Sequence, residues 1–251
     1  MKQTLKILMA ACMKKALRAV MPILLIFILI STCYGDTLLI HYYPFTFDAS
    51  DAVGSSNGIL MNGASVNNDS LLLDGVNDYV QFGDKLIPTS GSYSVALFAR
   101  QSVSQNHFVE MISQGFSGGP GFYIGHNPSQ SIRISDSWQT DVPFPSDGQW
   151  HHYAVSVDMN ASKTWFYIDG LLRATLNNNI VFTSGGTNTR LGRQFDPYWE
   201  NEYFVGGLDD VRIYTGALTA DEVAAIAATP EPATMILLGI GMIGLARLKR
   251  K

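Results

Sequence analysis

Apolar residues recur at every second position in short runs along most of this chain. In the stretch 150–158, His151, Tyr153, Val155 and Val157 share one side, and Tyr93, Val95, Leu97 and Ala99 repeat the pattern earlier. Successive strand side chains point to opposite faces, so this is the signature of half-buried β-strands. On this basis strands are expected at 38–43, 59–66, 71–73, 79–82, 93–99, 108–113, 122–125, 132–135, 150–157, 164–168, 171–176, 189–192 and 204–214. Asn62-Gly63, Asp74-Gly75, Gly118-Gly119-Pro120, Asp147-Gly148 and Gly185-Gly186 punctuate them with residues that tolerate positive φ or interrupt a ladder. Asp169-Gly170, between two apolar runs, is a strong two-residue hairpin signal. Strands at roughly 8–12-residue spacing with such turns indicate a sandwich or barrel. Before the tail a single short helix is expected: Thr219-Ala220-Asp221-Glu222 is a capping box, and Val223, Ala224, Ile226 and Ala227 supply the helical turn.

The two ends depart from this pattern. Lys2, Lys6, Lys14, Lys15 and Arg18 precede an unbroken apolar run over 20–30 and then small residues at Cys33 and Gly35. That order is a secretory signal, with the body beginning at Asp36; Met13 is an alternative start. The apolar run is about half the ~20 residues of a spanning helix. At the other end, Pro230-Glu231-Pro232 is followed by an apolar, glycine-rich stretch to Ala246 and by Arg247, Lys249, Arg250 and Lys251. The organisation is therefore 1–35 signal peptide, 36–229 β domain and 230–251 tail.

Trimming changes the charge. The whole chain carries −4, but 36–229 holds 8 Lys and Arg against 20 Asp and Glu, a net −12. An acidic body argues against nucleic-acid binding, which needs a basic stripe to replace phosphate counterions. Both cysteines, Cys12 and Cys33, lie in the leader, so the body has no disulfide, thiol nucleophile or thiolate metal site.

Five segments together carry a resemblance. They are Tyr43-Pro44-Phe45 with Asp48; 73–80, Leu-Asp-Gly-Val-Asn-Asp-Tyr-Val; 147–155, from Asp147 through Trp150-His151-His152; Phe166-Tyr167-Ile168-Asp169-Gly170; and 204–214, which contains Gly206-Gly207-Leu208-Asp209-Asp210. In this order, over 42–228, the chain resembles the laminin-G-like, concanavalin A-like jelly-roll domains of bacterial surface proteins. The resemblance implies an all-β, two-sheet antiparallel sandwich with paired terminal strands, a glycan- or protein-binding role and, in many members, a structural calcium ion. The tail resembles a PEP-CTERM sorting signal. The leader adds an N-terminal signal helix, and the likeness of the tail implies a C-terminal hydrophobic helix, transient anchoring in the inner membrane, and processing near Pro230, Glu231 and Pro232 by an exosortase.

Chemistry-bearing residues are few. The glucanase spacing Glu-x-Asp-x-x-Glu is absent, and Glu200 and Glu202 read as solvated loop acids. His151 and His152 are adjacent and so point to opposite strand faces, which favours packing over shared ligation. In Asp209-Asp210, Arg212 falls on the same face as Asp210 and can pair with it, leaving Asp209 as the better calcium ligand. With the terminal strands paired as the resemblance implies, Asp48 is its carboxylate partner. Tyr198 and Trp199, flanked by Asp196 and Asn201, and Trp138, flanked by Ser137 and Gln139, are the candidate stacking platforms for a sugar; Trp150 and Trp165 sit inside strands and read as core. The expected function is a non-enzymatic cell-surface or matrix module that binds extracellular polysaccharide. The alternatives are a structural matrix protein without a specific ligand and, at lower odds, a glycoside hydrolase.

Overall fold

The structure is a computed structural model that describes residues 37–101, 103–115, 121–135, 138–180, 188–194 and 202–228. All belong to the unit Thr37–Lys251. In chain order the strands are β1 Leu38–Tyr43, β2 Ile59–Met61, β3 Ser65–Val66, β4 Leu71–Asp74, β5 Tyr79–Gln81, β6 Tyr93–Arg100, β7 Val109–Gln114, β8 Phe122–His126, β9 Ser131–Ile134, β10 Trp138–Pro143, β11 His151–Asp158, β12 Lys163–Ile168, β13 Leu171–Leu176, β14 Arg190–Leu191 and β15 Val205–Thr215; helix α1 spans Ala220–Ala227.

The strands form two antiparallel sheets. One has eight strands in the order β13-β12-β11-β6-β15-β4-β3, with β1 also on β15; the other has seven, β10-β9-β8-β7-β14-β5-β2. The jelly-roll sandwich expected from the sequence is the architecture. The long strand β15 organises the first sheet, pairing β6 along one edge and β4 and then β1 along the other. The terminal strands therefore pair side by side. Val95 and Leu97 of β6, Tyr153 and Val155 of β11 and Ile213 of β15 belong to one buried cluster with Met111, Phe122, Ile124, Ile132 and Ile134 of the second sheet. Phe144 stacks on Tyr153 at 5.5 Å within it.

A smaller cluster closes the outer face of the eight-stranded sheet. Ala96, Ala154, Tyr167 and Tyr214 from four strands pack with Leu218 and Val223, and Ile226 packs against them. Thr219 caps α1 with both halves of the expected box. Asp169 (φ 53) and Gly170 (φ 74) turn β12 into β13, as the Asp-Gly signal requires.

Two strand expectations change. The run 59–66 is two strands in different sheets, because Asn62 adopts φ 62 and breaks the ladder. Strand β10 was not expected, although its burial alternates over Trp138-Gln139-Thr140-Asp141. The signal helix and the C-terminal hydrophobic helix lie outside the described residues.

Candidate functional site

The outer face of the seven-stranded sheet is where polar side chains gather. Alternation puts Ile132 and Ile134 of β9, and Phe122 and Ile124 of β8, into the core, so Arg133 and Tyr123 face outward. Two transverse rows cross this face. In the first, Gln139, Arg133, Gly125 and Glu110 are neighbours on β10, β9, β8 and β7. In the second, Tyr123, Ser113, Arg190, Gln81 and Ile59 follow one another on β8, β7, β14, β5 and β2.

The first row is buried. Glu110 and Arg133 form an ion pair across the glycine between them. A Cβ at Gly125 would meet the Val109 carbonyl oxygen at 1.9 Å, so only glycine allows this close approach. The Arg133 guanidinium also lies 4.3 Å from the Phe108 ring and 4.4 Å from the Tyr123 ring, and donates to Gln194 Oε1 at 3.3 Å. Glu110 is 0% and Glu202 is 8% exposed. Burial pushes the Glu110 carboxyl well above the usual carboxylate range; the Arg133 charge opposes this and the nearby Glu202 carboxyl adds to it. Burial alone would lower Arg133, but the Glu110 carboxylate outweighs it and holds the guanidinium firmly charged. Arrangements of this kind add little net stability, because desolvation offsets the attraction.

The second row is half-open. Arg190 Nε donates to Gln81 Oε1 at 2.7 Å. Beside it, the Arg193 guanidinium lies over two adjacent rings, Tyr203 at 4.9 Å and Tyr79 at 5.2 Å. Burial lowers Arg190 below the usual guanidinium value, and the neighbouring Arg193 charge adds to the shift. Backbone contacts fix these groups: Ser113 Oγ donates to the Arg193 carbonyl at 2.6 Å and Gln105 Nε2 to the Tyr203 carbonyl at 2.8 Å. Tyr79 is held by the turn before it, where the Asp74 carboxylate accepts the Val76 amide at 2.8 Å and the Asp78 carboxylate the Gly63 amide at 2.7 Å. Aromatic rings beside paired guanidinium and amide donors offer stacking together with hydrogen bonding, the combination a sugar surface needs.

The residues singled out from sequence fall elsewhere. Trp138 is not an exposed platform: it is 8% exposed at the start of β10 and its side chain joins the main core, because strand alternation turns it inward. Tyr198 and Trp199, with Pro230, Glu231 and Pro232, lie outside the described residues. Glu202 is buried beside Glu110 and Arg133 rather than solvated. Asp48 lies on an exposed turn where its carboxylate accepts the Ser50 amide at 2.9 Å. Asp209 is buried in β15 and its carboxylate accepts the Asp210 amide at 2.7 Å. Among the described residues no group of three or more His, Cys, Asp or Glu side chains is placed to hold a metal ion. Arg212 pairs with Asp210 at 3.0 Å, and Tyr42 donates to the same carboxylate at 2.5 Å. His151 and His152 do take opposite faces: His151 bonds Asp169 at 2.8 Å, whereas His152 is buried edge-on against Phe98.

Residues 74–224 match the concanavalin A-like lectin/glucanases superfamily, and residues 228–251 match the PEP-CTERM protein-sorting motif. That motif implies an exported protein processed at the membrane by an exosortase. An α-L-arabinofuranosidase of Bifidobacterium longum subsp. longum is 25% identical over 209 residues, which are 72% of this chain and 19% of that enzyme. The chain thus spans about a fifth of the curated relative's length. Domain 4 of a GH43 extracellular arabinanase from Geobacillus stearothermophilus, solved with arabinotriose, superposes with a TM-score of 0.62 at 24% identity, covering 77% of this chain and all of that domain. Trypanosoma rangeli sialidase gives a TM-score of 0.61 at 10% identity, covering 75% of this chain and 32% of that one. The expectation of a non-enzymatic module is corrected to this extent: the curated relative is a glycoside hydrolase, of which this chain spans about a fifth.

Proposed function

Because the chain belongs to the concanavalin A-like lectin/glucanases superfamily, we propose that it engages an extracellular, arabinose-containing polysaccharide on the outer face of the seven-stranded sheet. The observation that carries this reading is the half-open strip in which Arg193 lies over Tyr79 and Tyr203, with Arg190 and Gln81 beside it. The arabinofuranosidase relative and the arabinotriose-bound domain support the ligand class. After exosortase processing near Pro230, Glu231 and Pro232, the body acts at the cell surface or in the extracellular matrix. Titration with arabinotriose and longer arabino-oligosaccharides tests the site. Arg193→Ala should weaken binding by about 1–3 kcal/mol, the scale of a lost stacked and hydrogen-bonded contact; binding unchanged in that variant removes the strip from the reading.

A second reading is favoured by the arabinofuranosidase relative: the bound polysaccharide is hydrolysed. New reducing ends released from an arabino-polysaccharide by the purified chain support it; no release rules it out.

A further inference from the structure

The opposite sheet carries a second opening that neither reading uses. On the outer face of the eight-stranded sheet, Leu72 of β4, Gly207 of β15 and Arg100 of β6 are register neighbours. Trp150, one residue before β11, extends this row, because His151 pairs with Ala99. Leu72, Leu73, Arg100, Gly148, Val205, Gly206 and Gly207 line a groove of about 280 Å³. That is near the lower end of ordinary ligand clefts, roughly 300–1,000 Å³, and suits one sugar unit rather than a chain.

Two features give the groove its chemistry. The first is its floor. A Cβ at Gly206 would meet the Arg100 carbonyl oxygen at 2.1 Å, and one at Gly207 would meet Trp150 at 2.9 Å and Arg100 Nε at 3.0 Å. Any larger side chain there would push against the Arg–Trp wall. The second is the charge. The Arg100 guanidinium lies 4.9 Å from the Trp150 ring centroid, and among the described residues no carboxylate pairs with it. Nearby acids are already engaged: the Asp74 carboxylate accepts the amides of its own turn, and the Asp147 carboxylate accepts the Gln149 amide and faces His151. A guanidinium over an indole, without a carboxylate partner among the described residues, has N–H groups free for a planar acceptor, which a carboxylate matches in a two-pronged contact. An exposed, uncompensated cation also stands out in a body of net charge −12.

We propose that this groove is a separate subsite for a uronic acid residue of an acidic polysaccharide. Arg100 takes the carboxylate, while Leu72 and Val205 meet the apolar face of the ring. The site lies on the sheet opposite the arabinose-binding strip and does not depend on it, so the module would join two kinds of glycan.

The test titrates the purified full chain with tetragalacturonate and with its fully methyl-esterified form, following tryptophan fluorescence and heat. The acid form should bind with an affinity that falls as salt is raised. The ester should bind about tenfold or more weakly, since it keeps the ring and loses the charge-assisted contact. Arg100→Gln, an exposed change, should lose the same factor while arabinotriose binding stays as in the parent. Gly207→Ala should also weaken binding of the acid; if it fails to fold, Arg100→Gln alone decides. Equal binding of acid and ester, full binding by Arg100→Gln, or no binding of the acid form would each overturn the proposal.

Discussion

The two outer faces of this sandwich solve the same problem in opposite ways. The eight-stranded sheet covers much of its outer face with apolar material: α1 lays Val223 and Ile226 over Ala96, Ala154 and Tyr214. Both sheets bury carboxylates, Asp209 and Asp210 on the eight-stranded one, but the seven-stranded sheet buries a complete pair, with Glu110 and Arg133 inside and Glu202 alongside. Hydrophobic cover stabilises directly. A buried ion pair does little for stability, since apolar residues of similar volume serve as well or better. On the reading proposed above, the charged face is the working surface and the helix-covered region belongs to the scaffold.

The contrast can be broken most sharply at Glu110. Glu110→Leu leaves the Arg133 guanidinium buried without its principal partner and should destabilise by about 3–5 kcal/mol. The double variant Glu110→Leu with Arg133→Met should recover most of that loss, read as the urea midpoint at unchanged slope. A double variant as unstable as the single would make the pair structural.

Next in size is a pH effect of opposite sign on the two faces. His152, on the helix-covered sheet, is buried and its pKa is pushed down to about 4, chiefly by burial and also by the Arg212 charge. Unfolded, it regains a value near 6.5 and binds its proton first. Stability from this group is therefore present above about pH 6.5 and is lost as the pH falls toward 4, by about 3 kcal/mol. Glu110 is shifted upward, so its contribution is complete at low pH and is lost as the pH rises from about 4.5 through its folded value. Denaturation curves across this range should lose the acid-side slope in His152→Phe and the opposing slope in Glu110→Gln. Curves of unchanged shape in either variant would remove that residue as the cause.

Smaller still is the effect of thinning the helix cover. Val223→Ala should cost about 2 kcal/mol through lost burial and the cavity left behind. It should leave arabino-oligosaccharide binding untouched, because the helix lies on the other sheet; a loss of binding matching the loss of stability would erase the distinction between the faces.

Local signals in the sequence are those the structure reproduces most closely. The Asp169-Gly170 hairpin and the Thr219–Glu222 capping box each depend on neighbours a few residues apart, and both form as the chemistry dictates. The Arg212–Asp210 pair is of the same kind. The charged face was harder to see because its members are far apart in the chain: Glu110 and Arg133 are separated by 23 positions, and Glu202 lies much further on. A signal existed all the same. Glu110 stands alone in the apolar run Val-Glu-Met-Ile and Arg133 alone in Ile-Arg-Ile, and a lone charge inside an apolar strand calls for a partner. Gly125, inside a strand, marks where the backbones approach. Trp138 misled for the converse reason: its polar neighbour Gln139 is the outward position of an alternating strand that turns Trp138 inward.

The most direct test of the working-surface claim is amide chemical-shift mapping of the isotope-labelled chain titrated with arabinotriose. The account predicts saturable shifts concentrated at Tyr79, Gln81, Arg190, Arg193 and Tyr203, with α1 and its strands silent. Shifts centred on the helix-covered face, or no saturable shift at any of these five residues, would contradict it.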